Sequence, residues 1–418
     1  MKDSGSELQA SDQPDKAAQR WLGDVQEQPI NNRQLMEKSV QSQVQIERSG
    51  KDIVFSVHVA GQNKEVWRCA DSGVDQAFID KTIARLILHK EQELKARYKI
   101  SFAEAGEDAI GKLSFTPDGK PIYGEMVHAR GPHLAELYEL ESVMARANPS
   151  HLIKNNKEGL KFYFLSDSIY QNDRGAAATY TAKDKNNHPA VYLADSLAAR
   201  LSAVPGSPDK SALIWQGGAD SHMLLHELAH NSQNRLNLDQ EKKLLQYAHG
   251  CGFYPFNPAD SDATIWAIKT KDGSLFRRDS DVDGWVRIDS KNQTLNKAGQ
   301  PSTAAEAQTI DDITMRNQAL VRPPTFYFDN AAEMGAEGMA LFRGGVNERR
   351  QLAKESADFY TFIKEQDQRE IDLTWGKKHG QPTMLRLPDG TIRRNDGAAR
   401  KSIRDFEATL AAPPESLP

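Results

Sequence analysis

Cysteine is nearly absent from this chain, with Cys69 and Cys251 the two in 418 residues. Two thiols cannot build a disulfide framework, which excludes the small secreted scaffolds that rely on cross-links and fits a reducing compartment; a single Cys69–Cys251 pairing stays open. As zinc ligands they are poor, because only His249 stands close to either at ligand spacing. Runs of eighteen apolar residues are missing, so no membrane span is expected. Basic charge is not in excess either: 53 Lys and Arg against 58 Asp and Glu leave a net charge of −5. That balance gives no general reason to expect a nucleic-acid partner. The opening Met1-Lys2-Asp3-Ser4-Gly5-Ser6-Glu7 lacks the basic-then-apolar order of a secretory signal. The expected location is therefore cytoplasmic, or secreted or injected by a signal-peptide-independent route. No internal repeat of solenoid type is present.

What is present suits a soluble protein with a large core, since 39% of residues are hydrophobic and 27% charged over a length that favours more than one unit. Residues 1–45 are rich in Gln, Asp, Ser, Lys and Glu and read as a flexible segment. Residues 46–125 read as a small α/β accessory domain. Val44, Ile46, Ile53, Phe55, Val57, Val59 and Val66 alternate as in an antiparallel sheet, a helix follows from about Val74 to Tyr98, and Leu113 to Lys120 carries a hairpin signal. From 126 to 375 comes the main domain, with a helix over Pro132–Ala147 and strands over Leu160–Ser166 and Ala190–Leu193. A β-rich insertion spans about 255–310, where Trp266–Thr270, Lys271-Asp272-Gly273 and Ser274–Arg277 read as a hairpin and Gly284–Asp289 as a further strand. A helix from about Glu348 to Gln368 leads into 376–418, a hairpin at Leu385–Arg393, a short helix and a Pro-rich end.

The chemistry concentrates in His226-Glu227-Leu228-Ala229-His230. Two histidines four residues apart project from one face of a helix, and a carboxylate beside the first can reach a metal-activated water, so the pattern combines two Zn²⁺ ligands with a general base. Asp220-Ser221 offer helix caps, and Met223, Leu224, Leu225, Leu228 and Ala229 offer an apolar stripe. Catalytic zinc takes three protein ligands, and the extended HExxHxxGxxH arrangement is excluded because Gln233 and Leu236 stand where Gly and His are needed. The best third ligand lies downstream, in a helix capped by Asp329 or Asn330 and ended by Gly344-Gly345. There Glu333 and Glu337 share one face. Glu333 can ligate the metal, and Glu337, one turn on, can accept the outer N–H of a ligating histidine. Ala332, Gly335, Ala336 and Gly338 are small enough for close approach to the first helix; a solvated acidic helix is the plainer alternative.

These two motifs resemble the gluzincin metallopeptidases, and within them the lethal-factor-like catalytic domains, over roughly residues 130 to 375. The likeness rests on the HExxH pattern and on Glu333-Met334-Gly335-Ala336-Glu337 running into Ala340-Leu341-Phe342. It implies an α+β fold, with a mixed sheet over the HExxH helix and a helical lower half carrying Glu333. It also implies a transition-state tyrosine just before the third ligand, the place held by Tyr327, although flanking Phe326 and Phe328 leave a core phenol open. In that family a strand such as Ala190–Leu193 is the edge that pairs with extended substrate. The gap of about a hundred residues between His230 and Glu333 is the main departure, and the β-rich insertion fills it.

The expected function is a zinc-dependent endopeptidase acting on protein or peptide, with Glu227 as general base, and the resemblance adds a bacterial toxin or effector role beside a housekeeping one. Alternatives are an inactive zincin-fold binding protein and a zinc amidohydrolase acting on a non-peptide amide. Asp279, Asp281 and Asp283 match the first half of a calcium loop, but Arg287 and Ser290 break the second half, so an acidic hairpin turn is the better reading. His128, His133, His151, His188, His249 and His379 are expected to be structural; His222, one turn before His226, could orient substrate.

Overall fold

A computed structural model describes residues 44–59, 62–72, 74–115, 121–147, 159–165, 178–181, 189–193, 219–233, 236–256, 265–279, 284–320 and 331–411. The chain divides into two compact units, one comprising residues 1–93 and 132–138, the other 94–131 and 139–418. Helices and antiparallel and mixed sheets make it an α+β protein. No described helix is long and apolar enough to cross a membrane.

The first unit is built on β1 (Val44–Ser49), β2 (Asp52–Val59) and β3 (Gln62–Ala70), an antiparallel meander with a register shift between Phe55 and Ser56. Its alternating residues Val44, Ile46, Ile53, Phe55 and Val57 are buried on one face. They pack with Ile79 and Ile83 of α1 (Gln76–Tyr98), and Trp67 meets Phe55 edge-on at 5.1 Å. The alternation seen in the sequence is thus the pleat of a sheet with one buried face.

The second unit opens with β4 (Ser101–Phe102), β5 (Asp108–Phe115) and β6 (Pro121–Arg130), then α2 (Leu134–Arg146), which begins in the first unit, followed by β7 (Lys161–Leu165), β8 (Ala178–Thr181) and β9 (Ala190–Leu193). The boundary read near residue 125 therefore falls inside this unit, because β4 to β6 join β7 in one sheet. Its order is β5-β6-β7-β9-β8, with β4 beside β7; the β7 pairings with β4 and β9 are parallel and the rest antiparallel. A central strand covered on both faces needs apolar residues at every position, and Phe162, Tyr163, Phe164 and Leu165 of β7 are all buried.

Ala190–Leu193 is not the edge of this sheet. All four residues of β9 are buried and the strand lies between β7 and β8, so Ala190–Leu193 is interior and, among the described residues, β8 is the edge on that side of the sheet. Four consecutive apolar residues mark a strand with covered faces, not one left open for a partner.

Two helices follow, α3 (Ala219–Gln233) and α4 (Leu238–Gly250), the latter started by a capping box in which Asn237 and Gln240 exchange side-chain to backbone bonds. The insertion is a five-stranded antiparallel sheet in sequence order: β10 (Phe253–Phe256), β11 (Ile265–Lys269), β12 (Leu275–Asp279), β13 (Gly284–Ile288) and β14 (Thr309–Ile310). Asp279 ends β12 opposite Gly284 and pairs with Arg277 at 3.2 Å, which makes it part of a strand and ion pair; Asp281 and Asp283 lie outside the described residues. A short α5 (Asp312–Gln318), capped by Asp311, precedes the lower helices α6 (Ala331–Gly344), α7 (Val346–Glu355) and α8 (Ala357–Trp375). The single helix expected from Glu348 to Gln368 is two, because Ser356 takes an extended conformation (φ −156°, ψ 91°) while its N–H still reaches Leu352 O. No Gly or Pro marks that break, so sequence periodicity alone runs through it. The chain continues through β15 (Lys377–Lys378), β16 (Gln381–Pro382), β17 (Met384–Arg386), β18 (Ile392–Arg394) and α9 (Gly397–Ala411).

A buried charge cluster joins these last elements to α3. Arg343 of α6 donates to Asp367 at 2.9 Å, to Ser232 Oγ of α3 at 3.2 Å and to Glu370, while Arg386 of β17 donates to the same Asp367 at 2.6 and 3.0 Å. Ser232 in turn donates to Glu370 at 2.9 Å. Burial alone would raise the Asp367 carboxyl, but its two arginines prevail and hold it at about 2. The folded form thus binds this proton less readily than the unfolded chain, and its contribution to stability is complete above about pH 4 and is lost as pH falls toward 2. Urea unfolding at a series of pH values checks this: Asp367→Asn is expected to flatten the pH dependence between about pH 4 and 2, and an unchanged slope would contradict it.

Close packing of α6 on α8 depends on Gly338, where a Cβ would sit 2.7 Å and 2.8 Å from the Phe359 ring and 2.9 Å from Ile363. Gly338→Ala gains about 1 kcal/mol in helix propensity but overpacks a rigid ring at a cost of about 1–3 kcal/mol. The expected result is a lower urea midpoint with unchanged slope; a stabilised variant would show that the interface can yield.

Candidate metal centre

The centre lies within the second unit, between α3 and α6. Met223, Leu224, Leu225, Leu228 and Ala229 are buried, so α3 is locked in the core and its histidines cannot swing away. On α6, Ala331, Met334, Gly335 and Ala336 are buried around Glu333 and Glu337. Gly335 allows the close approach, because a Cβ there would lie 2.6 Å from Gln233 Nε2 of α3.

Side chains four residues apart stack along one helix face, so α3 offers His222, His226 and His230 and α6 offers Glu333 and Glu337. The two rows interlock in opposite senses. His222 Nε2 donates to Glu337 Oε2 at 3.0 Å, His226 Nδ1 donates to Glu337 Oε1 at 2.8 Å, and His226 Nε2 faces Glu333 Oε2 at 2.9 Å. His230 Nε2 lies 3.1 Å from His226 Nε2 and 3.6 Å from Glu333 Oε2. A carboxylate can only accept, so His222 Nε2 and His226 Nδ1, which face the two oxygens of Glu337, carry protons.

Electrostatics follow from this crowding. Burial works to lower the His226 pKa, but its bonds to Glu333 and Glu337 outweigh that, and it titrates well above the ordinary histidine range. Burial would raise Glu333, yet bonds to His226 and His230 bring it down to about 2. Glu337 is also displaced downward, against its burial, by His222 and His226. Glu227 behaves oppositely: burial raises it, and His226 and His230 only partly counter this. Its carboxylate accepts the backbone N–H of Tyr180.

The donor set fits a zinc ion. Among the described residues this is the one group whose ligand atoms converge, all within 4.8 Å of one another. Zinc at about 2.0–2.1 Å from tetrahedral ligands requires ligand atoms about 3.3 Å apart. The triangle of His226 Nε2, His230 Nε2 and Glu333 Oε2 has edges of 2.9, 3.1 and 3.6 Å, which bracket that value. His226 Nδ1 is already committed to Glu337, which leaves Nε2 as the nitrogen available to a metal ion.

Two residues not singled out in the sequence complete the surroundings. Tyr180 of β8 donates its hydroxyl to Asn231 Oδ1 at 3.0 Å, and its ring stacks on His230 at 6.4 Å. With its N–H on Glu227, one strand residue thereby fixes β8 to Glu227 and to the helical turn carrying His230. The Thr179-Tyr180-Thr181 run has the β-branched and aromatic character of a strand, but its partner on α3 is a tertiary pairing that no spacing announces. Tyr327, Asp329, Asn330, His151 and His188 lie outside the described residues. His128 pairs with Asp108 at 3.0 Å and His249 leans on Trp266, both apart from the cluster, and His222 faces Glu337. Cys69 and Cys251 are free thiols, each pushed up to about 11 by burial.

No family model, curated protein or solved structure matches this chain.

Tyr180→Phe tests the strand-to-helix link. Losing the hydroxyl leaves the buried Asn231 oxygen unmet, and an expected loss of about 1–2 kcal/mol should appear in urea unfolding. Wild-type stability would mean that the hydroxyl bond contributes nothing.

Proposed function

We propose that this chain is a zinc-dependent endopeptidase of zincin-like architecture, resembling the gluzincins and their lethal-factor-like branch. One observation carries the reading: His226 Nε2, His230 Nε2 and Glu333 Oε2 converge beside the buried carboxyl of Glu227. These three residues would hold the ion, and Glu337 keeps His226 in the tautomer that ligation needs. When bound, zinc supplies Lewis acidity, making a water acidic and a carbonyl electrophilic.

Glu227 is suited to the proton work. A carboxylate beside the ligand histidines can take a proton from the attacking water and then pass it, as the carboxylic acid, to the leaving amine. His226 and His230 on one side and the Tyr180 N–H on the other restrict where its carboxylate can point. Tyr327 remains the proposed oxyanion donor by resemblance. An effector or toxin role, with protein as substrate, belongs to the same proposal.

Metal analysis of the purified chain with cleavage-site profiling of a peptide library tests it. One zinc per chain and peptide cleavage are expected, with Glu227→Gln keeping the metal while cleavage falls about 10²–10⁴-fold. A chain without stoichiometric zinc, or cleavage unaffected by Glu227→Gln, would overturn the reading; zinc without peptide cleavage would favour a non-peptide amide.

A further inference from the structure

Glu337 is a buried carboxylate whose side chain is 4% exposed, and each of its oxygens meets one histidine. Oε1 receives His226 Nδ1–H at 2.8 Å and Oε2 receives His222 Nε2–H at 3.0 Å. A carboxylate can rotate about its last bond, and a donor on one oxygen alone fixes that rotation less firmly than donors on both. A donor on the second oxygen removes that freedom. His222 and His226 are four residues apart on α3, so both sit on the same helix face, and one carboxylate from α6 can bridge them without strain.

We propose that His222 is a positioning residue of the metal centre: by donating to Glu337 it fixes the carboxylate that orients His226 for the ion. This rests on the zinc reading above and deepens it, since the ordered unit becomes His222, Glu337 and His226 in series, ending at the ligating Nε2. His222 touches neither substrate nor metal. Its part is to keep Glu337 from turning, so that the His226 ring enters metal binding already aimed. In the same way Glu333 is shared by His226 and His230, and the row of three histidines along α3 forms one continuous ladder with the two glutamates of α6.

What matters is a donor at the position of Nε2, which a Gln side chain can place and a shorter Asn cannot. The experiment therefore compares His222→Gln, His222→Asn and His222→Leu with wild type and with Glu337→Gln in the full-length chain. Zinc affinity is read by competition with a chromophoric chelator, and the ligand field by the visible absorption of the Co²⁺-substituted protein. His222→Leu and His222→Asn are expected to weaken zinc about tenfold and to alter the Co²⁺ bands, as Glu337→Gln does, while His222→Gln restores both to near wild type. If Leu does not yield folded protein, the Gln and Asn pair decides alone.

Wild-type affinity and spectrum in His222→Leu or His222→Asn, alongside a weakened Glu337→Gln, would overturn the proposal and leave the zinc reading intact. Equal weakening in His222→Gln and His222→Asn would overturn it too, by showing that ring shape and not the donated bond is needed. A wild-type chain that binds no zinc at all would overturn the functional reading itself.

Discussion

A carboxylate shut away from water must be met by donors or lose its charge, and the contact between α3 and α6 is organised around that requirement. Glu337 has donors on both oxygens, and Glu333 faces His226 from its other nitrogen and His230 beside it. Because the donors stand at one-turn intervals on one helix and the acceptors at one-turn intervals on the other, only one register of the two helices satisfies all of them. A slide of either helix by a single turn would leave a buried charge unmet, at a cost of several kcal/mol. Small residues at 335 and 336 bring the backbones near enough for these short side chains to meet.

The same logic recurs at the far end of α6. Arg343 is buried, and its guanidinium is divided among Asp367, Glu370 and Ser232, with Arg386 on the other side of Asp367. One helix is thus tied at Glu333 and Glu337 to the middle of α3, and at Arg343 to Ser232 near the end of α3. Fixing a rod at two places along its length sets its rotation as well as its distance. The histidine geometry is therefore a property of the whole lower half and not of the HELAH stretch alone.

How much of this could be read in advance depended on whether the determining contact was local. His226, Glu227 and His230 were legible because helical spacing alone places them, and Glu333 and Glu337 because a pair of carboxylates on an otherwise apolar, small-residue helix calls for partners. The insertion was legible from its turn chemistry, as at Lys271-Asp272-Gly273, where the Asp272 side chain accepts the Ser274 N–H at 3.1 Å. Three features were not. The role of Tyr180 depends on where β8 lands against α3, and His222 on which carboxylate comes to face it. The break at Ser356 falls among good helix formers, with no residue that forbids continuation. The exchange of β9 for β8 as the edge had a visible sign, four apolar residues in succession, which family resemblance outweighed.

The wide separation of the paired residues along the chain has a consequence for the order in which the protein is made. A growing polypeptide that has emerged as far as α3 holds all three histidines of the ladder and none of the glutamates that aim them. Glu333 and Glu337 follow about a hundred residues later, and Arg386, which completes the anchorage of α6, later still. At a synthesis rate of roughly 5–20 residues per second, the histidines wait at least several seconds for their partners. The centre therefore cannot form until α6 has been made, and the histidines of α3 must be kept available until then.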